Sequence, residues 1–304
     1  MFMGTSSFGL PTLDLLLKKG YEVEAVVTVP DKPAGRGRKP AQSPVRKFAV
    51  EHSIAVMQPA SMRDPWFAES LRKLRPELIV VVAFRILPPS VFTIPSFGSI
   101  NLHGSLLPKY RGAAPINWAI IRGEKETGVT TFFLEEGIDT GRILMQKKVA
   151  IGEDETAGEL HDRLAVLGAG VVLETVMAIA AKRAEPRNQD DVAATPAPKI
   201  FRKDCRIDWN AGAEPVHNFI RGLSPKPGAF FGRGGSILKV YRSKVAPTGG
   251  TRPAGTVVEA GDRLVVSCGD GAVMLTELQQ EGKNIMNAGD FLRGTSIPIG
   301  ERFN

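Results

Sequence analysis

Over residues 1–183 the apolar positions switch repeatedly between strand-like runs and helical spacing. Residues 2–3 look like the end of a first strand, with its opening residues missing. Apolar Leu13, Leu15, Leu16 and Leu17 follow Pro11, a residue suited to a helix start, so 11–19 is predicted helical. The β-branched run at 23–29 and the short 54–57 read as strands, and 44–50 and 65–74 as helices. Residues 78–84 (LIVVVAF) are continuously apolar, as expected of a central parallel strand covered on both faces. A strand at 99–102, a helix at 114–121, a strand pair at 129–134 and 142–149, and a long Ala/Val/Leu helix at 159–182 complete the series. Alternation of this kind predicts an α/β fold built on an open, mostly parallel sheet.

The pattern then changes. Residues 184–199 (AEPRNQDDVAATPAPK) are polar, aperiodic and rich in Pro and Ala, which reads as a linker. Beyond Asp208, short strands at 237–241, 255–258, 264–267 and 273–278 are punctuated by glycine about every ten residues. That spacing predicts a small β-barrel or sandwich. The divisions are therefore 1–183, a linker at 184–204, and 205–304.

Composition narrows the possibilities. The chain has 304 residues with 43% hydrophobic and 23% charged, an ordinary globular balance that excludes wholesale disorder. Cys205 and Cys268 cannot make a disulfide framework or a four-thiolate zinc site; they read as structural or incidental and favour a reducing, cytoplasmic setting. No apolar run is read as approaching the roughly 20 residues of a membrane span, and the first residues carry no secretory pattern. A net charge of +7 permits a polyanionic partner without requiring one. The segment 4–9 (GTSSFG) lacks the dinucleotide-binding fingerprint, and no nucleophile elbow occurs. His52, His161 and His217 show no metal-ligand spacing and read as surface or helix-face residues.

Candidate chemistry concentrates in 101–112 (NLHGSLLPKYRG), directly after a strand, where open α/β sheets hold their ligands. Alternation puts Asn101 and His103 on one face. An amide donor beside a titratable imidazole can hold an oxyanion and move a proton; a packed histidine and a turn asparagine fit the same residues. Asp139, in GIDTG, suits either a partner for His103 or a simple Asx turn. The stretch 31–47 carries six basic residues and one acid, Asp31. Its glycines and prolines argue against helix or strand, and it reads as a phosphate-contacting loop or as a solvated charge run.

Taken in order, NxHxSLLPxxxG at 101–112 and the aspartate of GIDTG resemble the signature of the 10-formyltetrahydrofolate-dependent formyltransferases. The loop 30–39 (PDKPAGRGRK) is similar to the insertion of the methionyl-tRNA formyltransferase family. The resemblance covers essentially the whole chain. It implies a Rossmann-like catalytic domain, a C-terminal OB-like barrel, 10-formyltetrahydrofolate as co-substrate, methionyl initiator tRNA as partner, no metal, no membrane, and a monomer. It further implies that Asn101, His103 and Asp139 are catalytic. Ser105, Leu106, Leu107 and Pro108, with Phe84, Arg85, Ile86 and Leu87, would line the folate pocket. Arg36, Arg38 and Lys39 would meet tRNA. A formyltransferase of the same catalytic type acting on a nucleotide sugar or small amine is the alternative, with less use for the basic loop and the barrel. The chain departs from the family pattern where Phe84 runs straight into Arg85, one residue short.

Overall fold

The structure is a computed structural model that describes residues 1–34, 39–247 and 252–303. The chain forms two compact units. One comprises Met1–Gly112, Gly128–Val149 and His161–Ala197; the other comprises Ala113–Thr127, Ala150–Leu160 and Pro198–Asn304.

The first unit is organised by β1 (Phe2–Gly4), β2 (Ala25–Val27), the ribbon strands β3 (Lys32–Ala34) and β4 (Lys39–Ala41), β5 (Ala55–Met57), β6 (Ile79–Val82), β7 (Ser99–His103), the short β8 (Arg111–Gly112), β9 (Glu126–Phe133), β10 (Ile143–Ala150) and the short β11 (Pro196–Ala197). Its helices are α1 (Leu10–Lys18), α2 (Pro44–Glu51), α3 (Pro65–Leu74), α4 (Pro89–Phe92) and most of α6 (Ala157–Ala180); α5 (Pro115–Ile121) belongs to the second unit. Seven strands form the main sheet in the order β10-β9-β7-β6-β1-β2-β5. From β5 to β7 the ladders are parallel, and β9 runs antiparallel to β7. The chain winds outward from β1 in one direction through β2 and β5, then crosses to β6 and β7 on the other side. The carboxyl ends of β1 and β6 therefore flank the topological switch point, where open α/β sheets bind ligands.

Pleat alternation assigns the two faces. Ile79 and Val81 of β6 pack with Met3, Val27, Phe67 and Val91 under α3 and α4. On the opposite face Leu102 presses on Gly168 of α6, and Thr131 shares a 2.7 Å hydrogen bond with Thr175 of the same helix. Thr156 and Glu159 start α6 as a capping box, each side chain bonding the other's backbone N–H. Residues 164–181 carry one charge, Glu174, so α6 is long and apolar enough to cross a membrane. That departs from the expectation of no such run. Its buried side covers the sheet through residues such as Leu164, Val172 and Val176.

The described parts of 31–47, residues 31–34 and 39–47, hold regular elements that the composition argued against. β3 and β4 pair antiparallel with Pro33 opposite Pro40, and α2 starts inside the stretch. A two-stranded ribbon is all edge, so prolines without an N–H are tolerated there. Asp31 is paired with Arg46 and accepts from Gln58, which removes Arg46 from the free cations.

The second unit is an antiparallel sheet of β12 (Ala229–Arg233), β13 (Ser236–Ala246), β14 (Val257–Ala260), β15 (Leu264–Ser267), β16 (Ala272–Gln280) and β17 (Met286–Asn287), with α7 (Ala213–Leu223) and α8 (Ala288–Gly294). Sequence reading missed α7, because Pro215 and Gly222 mask its periodicity. Val216, Ile220 and Leu223 form its buried stripe. His217, expected at the surface or on a helix face, lies on α7 and is buried, with Nδ1 3.1 Å from Ser243 Oγ and Nε2 3.2 Å from Glu153 O. Beside it Arg221 donates to Asn218 and to the carbonyls of Gly152 and Glu155. These bonds, with Asn117 to Gly222 O, draw 113–127 and 150–160 into this unit rather than into the 1–183 stretch. Cys205 and Cys268 are free and buried, and burial pushes the Cys268 thiol up to about 12.

Candidate active site

Strand β7 delivers the two leading candidates. In register, Asn101 lies between Val81 of β6 and Phe132 of β9, and His103 lies opposite Thr130. Both belong to the sheet face away from α6, since the intervening Leu102 packs on that helix. The Asn101 amide is half-buried and makes no side-chain hydrogen bond among the described residues.

His103 is 5% exposed. Its Nε2 lies 2.8 Å from Tyr110 O. A carbonyl only accepts, so Nε2 carries the proton and Nδ1 is the nitrogen left for chemistry. Facing Nδ1 at 3.6 Å is Oδ2 of Asp139, within ion-pair reach of an imidazolium but beyond an ordinary hydrogen bond. The structure thus brings Asp139 to His103 although 36 positions separate them in the chain.

How Asp139 gets there is not visible in its local sequence. The β9–β10 connection leaves the sheet at Leu134, whose N–H bonds Ser99 O, and folds back to His103 four residues further along β7. Gly141 permits this path: a Cβ there would fall 1.7 Å from Phe133 O. Asp139 itself has φ +54°, the left-handed region that an L-residue adopts only under constraint. Its carboxylate accepts the Gly112 N–H at 2.8 Å. Gln189 donates Nε2 to both Asp139 O and Gly141 O at 2.8 Å. Arg111 in turn donates Nε and Nη2 to Gln189 Oε1 and Nη2 to Asp191.

The stretch read as a linker is therefore bonded to this site. β11 pairs with β8, Arg187 exchanges backbone hydrogen bonds with Ile143, and Thr195 accepts the N–H groups of Tyr110 through its hydroxyl and of Arg111 through its carbonyl. Composition hid this, because the contacts are made by backbone and by three polar side chains, Gln189, Asp191 and Thr195, rather than by an apolar period.

The eight candidate folate residues divide by orientation. Ser105 is fully buried, its hydroxyl donating to Lys109 O, and Leu107 packs with Phe132 and Ile143. Thr130 Oγ1 fastens the turn by donating to Ser105 O and accepting from Leu107 N, while Gln146 donates to both Thr130 Oγ1 and Leu107 O. Sequence reading missed both Thr130 and Gln146. Leu106 and Pro108 are left half-buried.

At the end of β6, Ala83 adopts φ +48° and the chain turns through Phe84. Arg85 is drawn inward, donating to Pro59 O and Ala60 O, and burial lowers its pKa. Leu87 is buried beneath and Ile86 is 73% exposed. The Phe84–Arg85 junction is thus closed by a side chain tied to backbone, at the switch point of the sheet. Arg36 and Arg38 lie outside the described residues; Lys39 opens β4.

Comparison with known proteins agrees with this architecture. Residues 1–176 match the family described as formyl transferase, and residues 199–296 match the formyl transferase C-terminal domain. Methionyl-tRNA formyltransferase of Caldanaerobacter subterraneus subsp. tengcongensis is 46% identical, over 99% of this chain and 98% of that protein. The methionyl-tRNA formyltransferase of Geotalea uraniireducens is 47% identical, over 99% and 96%. Among solved structures, the N-formyltransferase of Helicobacter canadensis in complex with folinic acid and dTDP-3-aminofucose superposes with TM-score 0.68 at 21% identity, covering 92% of this chain and 98% of that one. A methionyl-tRNA formyltransferase from Clostridium thermocellum gives TM-score 0.56 at 18% identity, covering 81% and 92%. The two structures support the fold; the end-to-end identity to the curated relatives goes further, and the chain belongs to the formyl transferase family, among the methionyl-tRNA formyltransferases.

Proposed function

We propose that this chain transfers the formyl group of 10-formyltetrahydrofolate to the α-amine of methionyl initiator tRNA, with Asn101, His103 and Asp139 as its catalytic residues. The carrying observation is the buried His103, fixed at Nε2 by Tyr110 O and facing Asp139 at Nδ1, on the same sheet face as an Asn101 amide that has no side-chain hydrogen bond among the described residues. The folate supplies an electrophilic formyl group on N10. The Asn101 amide donates to the formyl oxygen as negative charge grows there during attack by the unprotonated amine. His103 Nδ1 takes the proton that the amine sheds, and Asp139 stabilises the resulting imidazolium. His103 then returns that proton to N10 as the C–N10 bond breaks, so the new amide bond forms with no net proton change. Donors aligned on the formyl oxygen meet the needs of this reaction, and the reading assigns no metal.

For the co-substrate, exposed Ile86 and half-buried Phe84, Leu106 and Pro108 offer apolar surface beside the switch point. Ser105, Leu107, Arg85 and Leu87 would then support the pocket from behind. Two buried free thiols suit a reducing cytoplasm, and we take the protein to act as a monomer free of membranes. The nucleotide-sugar neighbours share the fold at about 20% identity, whereas the relatives of close to half identity act on methionyl-tRNA by name.

A formylation assay with 10-formyltetrahydrofolate and charged initiator tRNA tests the reading; a folded protein that formylates an amino sugar nucleotide but not the tRNA overturns it. In the same assay KM for tRNA is expected to rise steeply with salt, because phosphate contacts release counterions. Replacing Arg36 by alanine is expected to raise that KM and to lower the log–log salt slope by about one. An unchanged KM and slope would remove Arg36 from the tRNA contact.

A further inference from the structure

We infer that Gln189, in the stretch connecting the two family-matched regions, is a positioning residue for the catalytic pair, acting through Asp139. The inference rests on the role proposed above for Asp139. The Gln189 amide uses its full bonding capacity at one place. It donates to Asp139 O and Gly141 O at 2.8 Å each, and it accepts from Arg111 Nε at 3.1 Å and Nη2 at 2.8 Å. Carbonyls only accept and a guanidinium only donates, so the amide has a single allowed orientation.

Those bonds close a circuit. Arg111 holds Gln189, Gln189 holds the Asp139 backbone, and the Asp139 carboxylate accepts from the N–H of Gly112, the residue after Arg111. Gly112 has φ +123° and lies against Ala197, where a Cβ would meet the carbonyl oxygen at 2.6 Å, so its N–H is tightly located. The circuit matters because Asp139 is held at φ +54° in a turn whose neighbour Ile138 is 58% exposed. A left-handed L-residue at an exposed tip relaxes unless its peptide groups are tied. Gln189 supplies the tie on both sides of the turn. Without it the carboxylate is free to leave Gly112 N and the 3.6 Å position facing His103 Nδ1.

The same stretch also reaches the other member of the pair. Thr195 accepts the Tyr110 N–H at 2.9 Å, and Tyr110 O receives His103 Nε2. Both side chains are thus aimed from this segment through backbone groups, Asp139 O for the carboxylate and the Tyr110 peptide unit for the imidazole.

The test is a double-mutant cycle on steady-state formylation of charged initiator tRNA, using Gln189→Ala, Asp139→Asn and the combination. Displacing a catalytic group by about 1 Å costs up to roughly 100-fold. Gln189→Ala is therefore expected to lower kcat about 10-fold, with KM for folate and for tRNA unchanged. In the Asp139→Asn background it is expected to lower kcat no further. Gln189→Glu, which keeps the Arg111 contact and so guards against simple misfolding, is expected to lose the same activity, because a carboxylate cannot donate to the two carbonyls. Unchanged kcat in the Gln189 variants, with Asp139→Asn impaired, overturns the inference alone. So does an equal loss in both backgrounds, which marks a merely structural residue. Full activity in Asp139→Asn instead overturns the catalytic role on which the inference rests, and the inference with it.

Discussion

Asn101→Ala is expected to lower kcat by about 10²–10³, the cost of removing one donor to a developing oxyanion. The position isolates that effect well. Asn101 is an interior residue of β7 whose backbone is held by ladders to β6 and β9, so the strand survives truncation of the side chain. Its amide has no side-chain partner among the described residues, so alanine strands no buried donor or acceptor. The unfolding midpoint should therefore stay near that of the parent while turnover collapses. KM for both substrates should change little, since the interaction strengthens only as charge develops. Asn101→Asp provides the control of shape: it is nearly isosteric, yet it places an acceptor and a negative charge where a donor is needed, and is expected to lose at least as much activity. Steady-state kinetics of the three proteins, with circular dichroism melts alongside, decides the matter. Near-normal turnover in Asn101→Ala would remove the residue from the reaction.

The largest expected loss of stability is at Phe231. This ring lies at the middle of β12, fully buried. It stacks on Phe303 with centroids 4.4 Å apart and meets Trp209 edge-on at 5.6 Å. Gly255 completes the enclosure, since a Cβ there would touch Phe303 O and the Trp209 ring. Phe231→Ala removes a large ring from a cluster drawn from three distant stretches, and such truncations cost about 3–5 kcal/mol. Phe303 and Trp209 cannot both follow the lost ring, because each is fixed by its own strand or loop, so a cavity remains. Phe231→Leu, which keeps most of the volume, is expected to cost clearly less. A chain of two units need not unfold in one step. The reading is best taken by hydrogen exchange on the amides of β12 to β16. Loss of protection there, with the amides of β6 and β7 still protected, is the expected pattern, and equal protection in Phe231→Ala would contradict the packing argument.

What was legible in the chain follows from the range of each interaction. The continuous apolar run 78–84 announces a strand buried on both faces, and its four residues Ile79–Val82 form that strand, all buried, while Ala83 and Phe84 lie beyond its end. Asn101 and His103 share a face by strand alternation alone, and the fold retains that relation. Local periodicity is also why the parallel sheet and the glycine-punctuated C-terminal strands were readable before any contact was known. The same reasoning failed at α7, whose stripe of Val216, Ile220 and Leu223 is interrupted by polar residues that are themselves buried. The burial of His217 and Arg221 was not legible, because their partners Ser243, Glu153 O and Gly152 O are 26 to 69 positions away.

The proposed catalytic arrangement divides along the same line. The order of residue types along the chain carried the resemblance to the family, and it was that resemblance that nominated Asn101, His103 and Asp139 as donor, proton carrier and carboxylate; alternation alone left a packed histidine and an Asx turn open. Which His103 nitrogen is free, how a left-handed Asp139 reaches it, and why an aperiodic stretch holds Asp139 from behind were decided by tertiary structure alone. Side-chain type is a local property and survives in a string of letters. Hydrogen bonds between groups 50 to 85 positions apart, such as Gln189 to Asp139 and Thr195 to Tyr110, leave no period in the chain, because their geometry is set by how the strands pair and where the connections return.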